Sequence, residues 1–220
     1  MPFLITDQNK DLLSGLIESE IVTCEEFLNW RTSHLARIKR NNDVSGVSLA
    51  KDKVYVRFRK QQILDLISLN MDHHLGILFS CNWVDPNYKY LSVFICSAQR
   101  DGHKFHVLSE TVQNSKGIKK NYAHYLDHYA NRIRTLRKES KTNDFGIEEM
   151  SGIYHLSSDI SLFLDKIKTK YVRFCFLHDL KKTTVIIADD KFDLIKYVCT
   201  NLAEPALYDH GTGCCTITDN

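Results

Sequence analysis

Leu75-Gly76-Ile77-Leu78-Phe79-Ser80-Cys81-Asn82-Trp83 and Tyr88-Lys89-Tyr90-Leu91-Ser92-Val93-Phe94-Ile95-Cys96-Ser97 are two runs rich in β-branched, aromatic and large apolar residues. Asp85-Pro86-Asn87 lies between them. Pro at the second position of a type I turn presets the φ that the turn needs. The stretch therefore reads as a long antiparallel hairpin. A second pair of runs, 171–178 and 183–188, reads the same way. Strands joined by hairpins rather than crossovers build antiparallel sheets. The expected class is α+β: a mostly antiparallel sheet built from hairpins, packed against about six helices.

Outward from the hairpins, apolar residues recur at helical spacing in six segments. Leu12, Leu13, Leu16 and Ile17 mark about 8–19. Thr23 and Glu26 form a capping box that opens a helix running to about Arg40, with Val22 and Phe27 placed for the hydrophobic staple. Further helices are expected at about 60–69, 117–139, 158–168 and 191–202, the last capped by Asp190. Short strands are expected near 45–50, 53–59 and 104–109. The helix-then-hairpin unit occurs at 60–97 and again at 158–188, which suggests a weak duplication. Residues 1–203 read as one α+β domain and 204–220 as a C-terminal tail.

Composition narrows the setting. With 43% hydrophobic and 25% charged residues, the chain has the balance of an ordinary globular protein. No apolar run approaches the roughly 20 residues of a membrane span, so no membrane role is expected. The first residues lack a basic and then apolar leader, which reads as a cytoplasmic protein. The cysteines, Cys24, Cys81, Cys96, Cys175, Cys199, Cys214 and Cys215, are odd in number and contain no CxxC. That is the usage of a reducing compartment. Charge is arranged in blocks, acidic over 1–30 and 142–165 and basic over 31–60 and 116–141. Such blocks either neutralise one another across the fold or present a basic patch to an anionic partner.

Motifs that carry chemistry are few. Gly-x-Ser-x-Gly, GxGxxG and the P-loop pattern are absent, so no cofactor is expected. Asp72-His73-His74 resembles the tripeptide of the DHH phosphoesterases. The companion Asp-x-Asp-x-x-Gly-Ser pattern is missing, and the tripeptide reads as the polar loop that starts the first hairpin.

Lys53-Val54-Tyr55-Val56-Arg57-Phe58-Arg59 is more telling. Strict alternation on a strand puts Val54, Val56 and Phe58 on one face and Lys53, Tyr55, Arg57 and Arg59 on the other. Cations interleaved with an aromatic suit phosphates and a stacked base. Arg31 and His34 fall on the apolar stripe of the 23–40 helix, where a buried charge must be paired or must line a cavity. His210, Cys214 and Cys215 bring an imidazole and two thiols together in the tail.

Three readings of function stand. The first is a non-enzymatic binding or interaction domain for an anionic partner, nucleic acid or a phosphate ligand, or for a protein. The second is an enzyme with a cleft around Arg31 and His34. The third is metal or thiol chemistry in the tail.

Overall fold

The computed structural model describes residues 24–41, 52–69, 73–85, 88–102, 104–117, 122–139, 145, 149–178, 182–190, 207–208 and 212–216; for 24–28, 82–89, 207–208 and 212–216 it describes the backbone alone. The elements run α1 (Cys24–Arg40), β1 (Tyr55–Arg59), α2 (Lys60–Ile67), β2 (His74–Asp85), β3 (Tyr88–Asp101), β4 (Lys104–Val107), α3 (Tyr122–Glu139), β5 (Met150–Leu156), α4 (Ser157–Lys166), β6 (Tyr171–His178), β7 (Thr183–Asp189), β8 (Leu207–Tyr208) and β9 (Thr212–Thr216). The class is α+β. Of the six or so expected helices, four α-helices occur among the described residues. The expected helices at 8–19 and 191–202 and the strand at 45–50 lie outside those residues.

The expected antiparallel pairing occurs, in two sheets rather than one. Among the described residues the two antiparallel sheets are a four-stranded one ordered β1-β6-β7-β8 and a five-stranded one ordered β4-β3-β2-β5-β9. Both long hairpins form, β2 with β3 and β6 with β7. The strand that precedes each hairpin does not join it. β1 pairs with β6, and β5 pairs with β2. The chain therefore crosses from one sheet to the other through α2 and crosses back through α4, and these two short helices pack together.

The two crossings are alike in detail. Arg59 faces Tyr171 at the end of β1 as Leu156 faces His74 at the end of β5. The next residue in each case ties the helix start to the partner hairpin. Lys60 N–H donates to Lys170 O at 2.9 Å, and Ser157 N–H donates to His73 O at 3.0 Å. The long helices follow the same plan, with α1 lying on β6 and α3 on β2.

Strand β5 was not anticipated. Met150-Ser151-Gly152-Ile153-Tyr154-His155-Leu156 does not alternate, because its centre is buried on both faces. Gly152 lets it pair closely with β2: a Cβ there would stand 3.1 Å from Ile77 O.

Alternation along the strands feeds one central core. Val56 and Phe58 of β1, Leu75, Ile77 and Phe79 of β2 and Val172, Phe174 and Phe176 of β6 all point into it, joined by Ile63 and Leu66 of α2 and by Ile160 and Phe163 of α4. Phe58 meets Phe174 edge-on at 4.8 Å, and Phe79 and Phe176 lie 6.5 Å apart at the junction of the sheets. A second cluster covers the outer face of the five-stranded sheet. Leu78, Phe94, Cys96, Ala98 and Tyr154 lie there beneath Phe105, Tyr122, Tyr125 and Leu126. Cys81, Cys96 and Cys175 are buried. Burial pushes the thiol pKa of Cys96 up to about 12 and that of Cys175 up to about 11, so neither is a reactive thiolate. Among the described residues no helix is long and apolar enough to cross a membrane.

Candidate functional site

The alternation of β1 is realised: Val56 and Phe58 are buried, while Tyr55, Arg57 and Arg59 are exposed. Three residues of one strand form a row rather than a site. The neighbouring strand makes the difference. β6 opens with Tyr171-Val172-Arg173-Phe174, the same four residue types in the same order as Tyr55-Val56-Arg57-Phe58. The two copies lie antiparallel in register, with Val56 opposite Phe174, Arg57 opposite Arg173 and Phe58 opposite Val172. A local two-fold thus passes between Arg57 and Arg173.

This symmetry builds a crossed pair of cation–aromatic contacts on the outer face of the four-stranded sheet. The Arg57 guanidinium lies 4.0 Å from the Tyr171 ring centroid, and the Arg173 guanidinium lies 4.7 Å from that of Tyr55. Lys170 Nζ is 5.8 Å from the Tyr171 ring. Like charges directly opposite each other in a ladder repel, and Asp190 sits between them. Its Oδ2 accepts from Arg57 and its Oδ1 accepts from Arg173 Nε at 3.1 Å. The face is open at its β1 edge, where Tyr55 is 37% exposed and the Arg57 side chain 51%, whereas Cys175, Ile186 and Ala188 of the same face are buried.

Lys53 is exposed but does not join this cluster; its Nζ lies over the Tyr90 ring of β3 at 5.2 Å. Arg59 is exposed at the end of β1, where its backbone N–H donates to Gln62 Oε1. The sequence reading thus found one strand of the site. It missed Tyr171, Arg173 and Asp190, although the repeated tetrapeptide was there to be read.

Arg31 and His34 lead elsewhere. Arg31 is half-buried, donates to Phe176 O at 3.3 Å, and has its pKa lowered by burial. His34 is buried, and neither of its ring nitrogens has a hydrogen-bond partner among the described residues. Burial, then the charges of Arg37 and Arg31, hold its pKa well below the ordinary value, so it is neutral. The cavity beside it is bounded by Arg37, Asp52, Tyr129, Arg132 and Thr183; Arg31 is not part of its wall. It offers about 10 Å³ to the centre of a water molecule, room for about one water.

Two arginines that sequence reasoning passed over are buried with their carboxylate partners. Arg37 of α1 pairs with Glu149 at 2.5 Å and donates to Thr183 Oγ1 at 2.6 Å. Glu149 also accepts from the Thr183 N–H at 3.0 Å and from the Tyr129 hydroxyl at 3.4 Å. Arg132 of α3 pairs with Asp52 at 2.5 Å, and Asp52 accepts from the Leu91 N–H at 2.8 Å. Burial acts to lower the pKa of Arg132, and the Asp52 charge beside it outweighs that. Asp52 lies just before β1 and Glu149 just before β5. Each long helix is thus tied to the start of the strand in the opposite sheet-crossing unit. The visible signal was Arg132 on the Tyr129–Ile133–Leu136 stripe of α3.

In the tail, Cys214 and Cys215 lie in β9, which pairs with β5. Their side chains and all of His210 lie outside the described residues.

The described residues form an α+β protein with two antiparallel sheets, and Tyr55, Arg57, Tyr171 and Arg173 adjoin on the outer face of one of them. No family model matches the chain, and no curated protein or solved structure matches it.

Proposed function

We propose that the protein is a non-enzymatic binding module for single-stranded nucleic acid and that the β1 edge of the outer face of the four-stranded sheet, with the start of β6 beside it, is its contact surface. One observation carries this reading: Tyr55, Arg57, Tyr171 and Arg173 lie together on the open surface as two crossed tyrosine–arginine pairs. Guanidiniums take phosphates in a forked geometry. Bases of any sequence stack on aromatic rings or on guanidinium planes. Arg59 and Lys170, exposed at the same strand ends, extend the cationic surface along the strands.

The test is fluorescence anisotropy with a labelled single-stranded oligonucleotide across a salt series. Binding is expected at low salt and weakens with a log–log slope of about −0.7 per phosphate contact. Tyr55→Ala should cost about 1–3 kcal/mol of affinity, the worth of one stacked base. An absence of binding at low salt would overturn the reading.

A further inference from the structure

We propose that Asp190 is an internal competitor for phosphate, holding the position between Arg57 and Arg173 that a backbone phosphate takes in the complex. The inference rests on the nucleic-acid reading of this face and adds how the site is gated.

A carboxylate and a phosphate make the same forked contacts with a guanidinium. The two arginines converge on one carboxylate from opposite strands, and each is backed by a tyrosine ring of the other strand. That is an anion site already assembled, with the chain's own anion in it. Asp190 is placed to leave. It lies in a turn just beyond β7, which ends at Asp189, so its side chain can swing without breaking a ladder bond. The Asp190 side chain is 15% exposed, whereas that of Arg57 is 51% exposed. Arg57 therefore reaches past the carboxylate and can meet an incoming phosphate first. Tyr55 and Tyr171 stand at opposite ends of the five-pair ladder, roughly 13 Å apart along the strands. A chain of several nucleotides spans both rings with a phosphate over the arginine pair.

The test compares Asp190→Asn and Asp189→Asn with the wild type, using the same oligonucleotide and salt series. Asp189 carries the same charge one residue away and accepts from Thr169 at 2.9 Å. Asp190→Asn should bind at least about fivefold more tightly, the order of one added charge-assisted contact. Its salt slope should steepen by about 0.7. Asp189→Asn should gain clearly less, and Arg57→Gln combined with Asp190→Asn should lose the gain. In the unmutated protein, the side-chain carboxyl carbon resonance of Asp190 should move when oligonucleotide is added. Equal or weaker binding by Asp190→Asn, an equal gain from Asp189→Asn, or an unmoved carboxyl resonance in a protein that does bind would overturn the gating alone. If neither the wild type nor Asp190→Asn binds, the nucleic-acid reading fails and the gating falls with it.

Discussion

The two sheets offer the same place twice and use it differently. Beside the start of α4, the outer face of β5 and β2 carries the pairs Gly152–Leu78, Tyr154–Gly76 and Leu156–His74. Beside the start of α2, the outer face of β1 and β6 carries Tyr55–Cys175, Arg57–Arg173 and Arg59–Tyr171. On the first face Gly76 lets Tyr154 lie flat, and Tyr154 stacks on Phe105 of β4 at 4.2 Å. A Cβ at Gly76 would stand 2.6 Å from Cys96 Sγ. On the second face the central pair is two arginines, and the surface is open at its β1 edge, with Cys175 beside it buried. The topology does not require this difference, since the same connection is closed by apolar packing in one sheet.

The largest expected effect lies beneath both faces, in the buried pairs that tie them together. Arg132→Ala leaves Asp52 buried and uncompensated, and should lower unfolding stability by about 3–5 kcal/mol in a urea titration. A loss below about 1 kcal/mol would show that α3 is not anchored through this pair. Gly76→Ala comes next, costing about 1–3 kcal/mol by overpacking the closed face. If it is neutral, the closed face is looser than the comparison requires.

Acid should act through His34. Its folded pKa lies below the unfolded value, so the unfolded chain binds the proton more readily. The stability that neutral His34 contributes is present above about pH 6.5 and is lost as pH falls toward the folded pKa. The slope approaches about 1.4 kcal/mol per pH unit. Urea midpoints measured between neutral and mildly acid pH should show it, and His34→Leu should flatten it. An unchanged slope in that variant would assign the acid sensitivity to another group.

The smallest effect on stability belongs to the open face. Arg57→Ala removes a half-exposed side chain and should cost less than about 1 kcal/mol. A cost near that of Arg132→Ala would make the arginine pair a structural clamp and remove the contrast between the faces.

Local signals were legible in the chain, and long-range pairing was not. The hairpins of β2 with β3 and β6 with β7 follow from apolar runs and turn residues near in sequence. The exchange of β1 and β5 between sheets leaves no local mark, because each pairs with a strand far along the chain. β5 escaped notice for a physical reason: a strand buried on both faces loses the alternation that betrays a strand. The site divided in the same way. Tyr55, Arg57 and Arg59 stood out by their period of two, whereas Tyr171 and Arg173 were absorbed into a hairpin read only for its core. Asp190 was read as the cap of a following helix. Its contacts with Arg57 and Arg173 arise only when β7 brings it beside β6. Arg31 stands out by its place on the stripe, yet the buried pair forms at Arg37, six residues further along α1.

The central claim is that the open face of the four-stranded sheet is the contact surface. Two-dimensional amide NMR during titration with a single-stranded oligonucleotide tests it most directly. The account predicts shifts concentrated at 55–59, 170–175 and 190, with those of β2, β3 and β5 unmoved. Shifts confined to the five-stranded sheet, or no shifts at low salt, would contradict it.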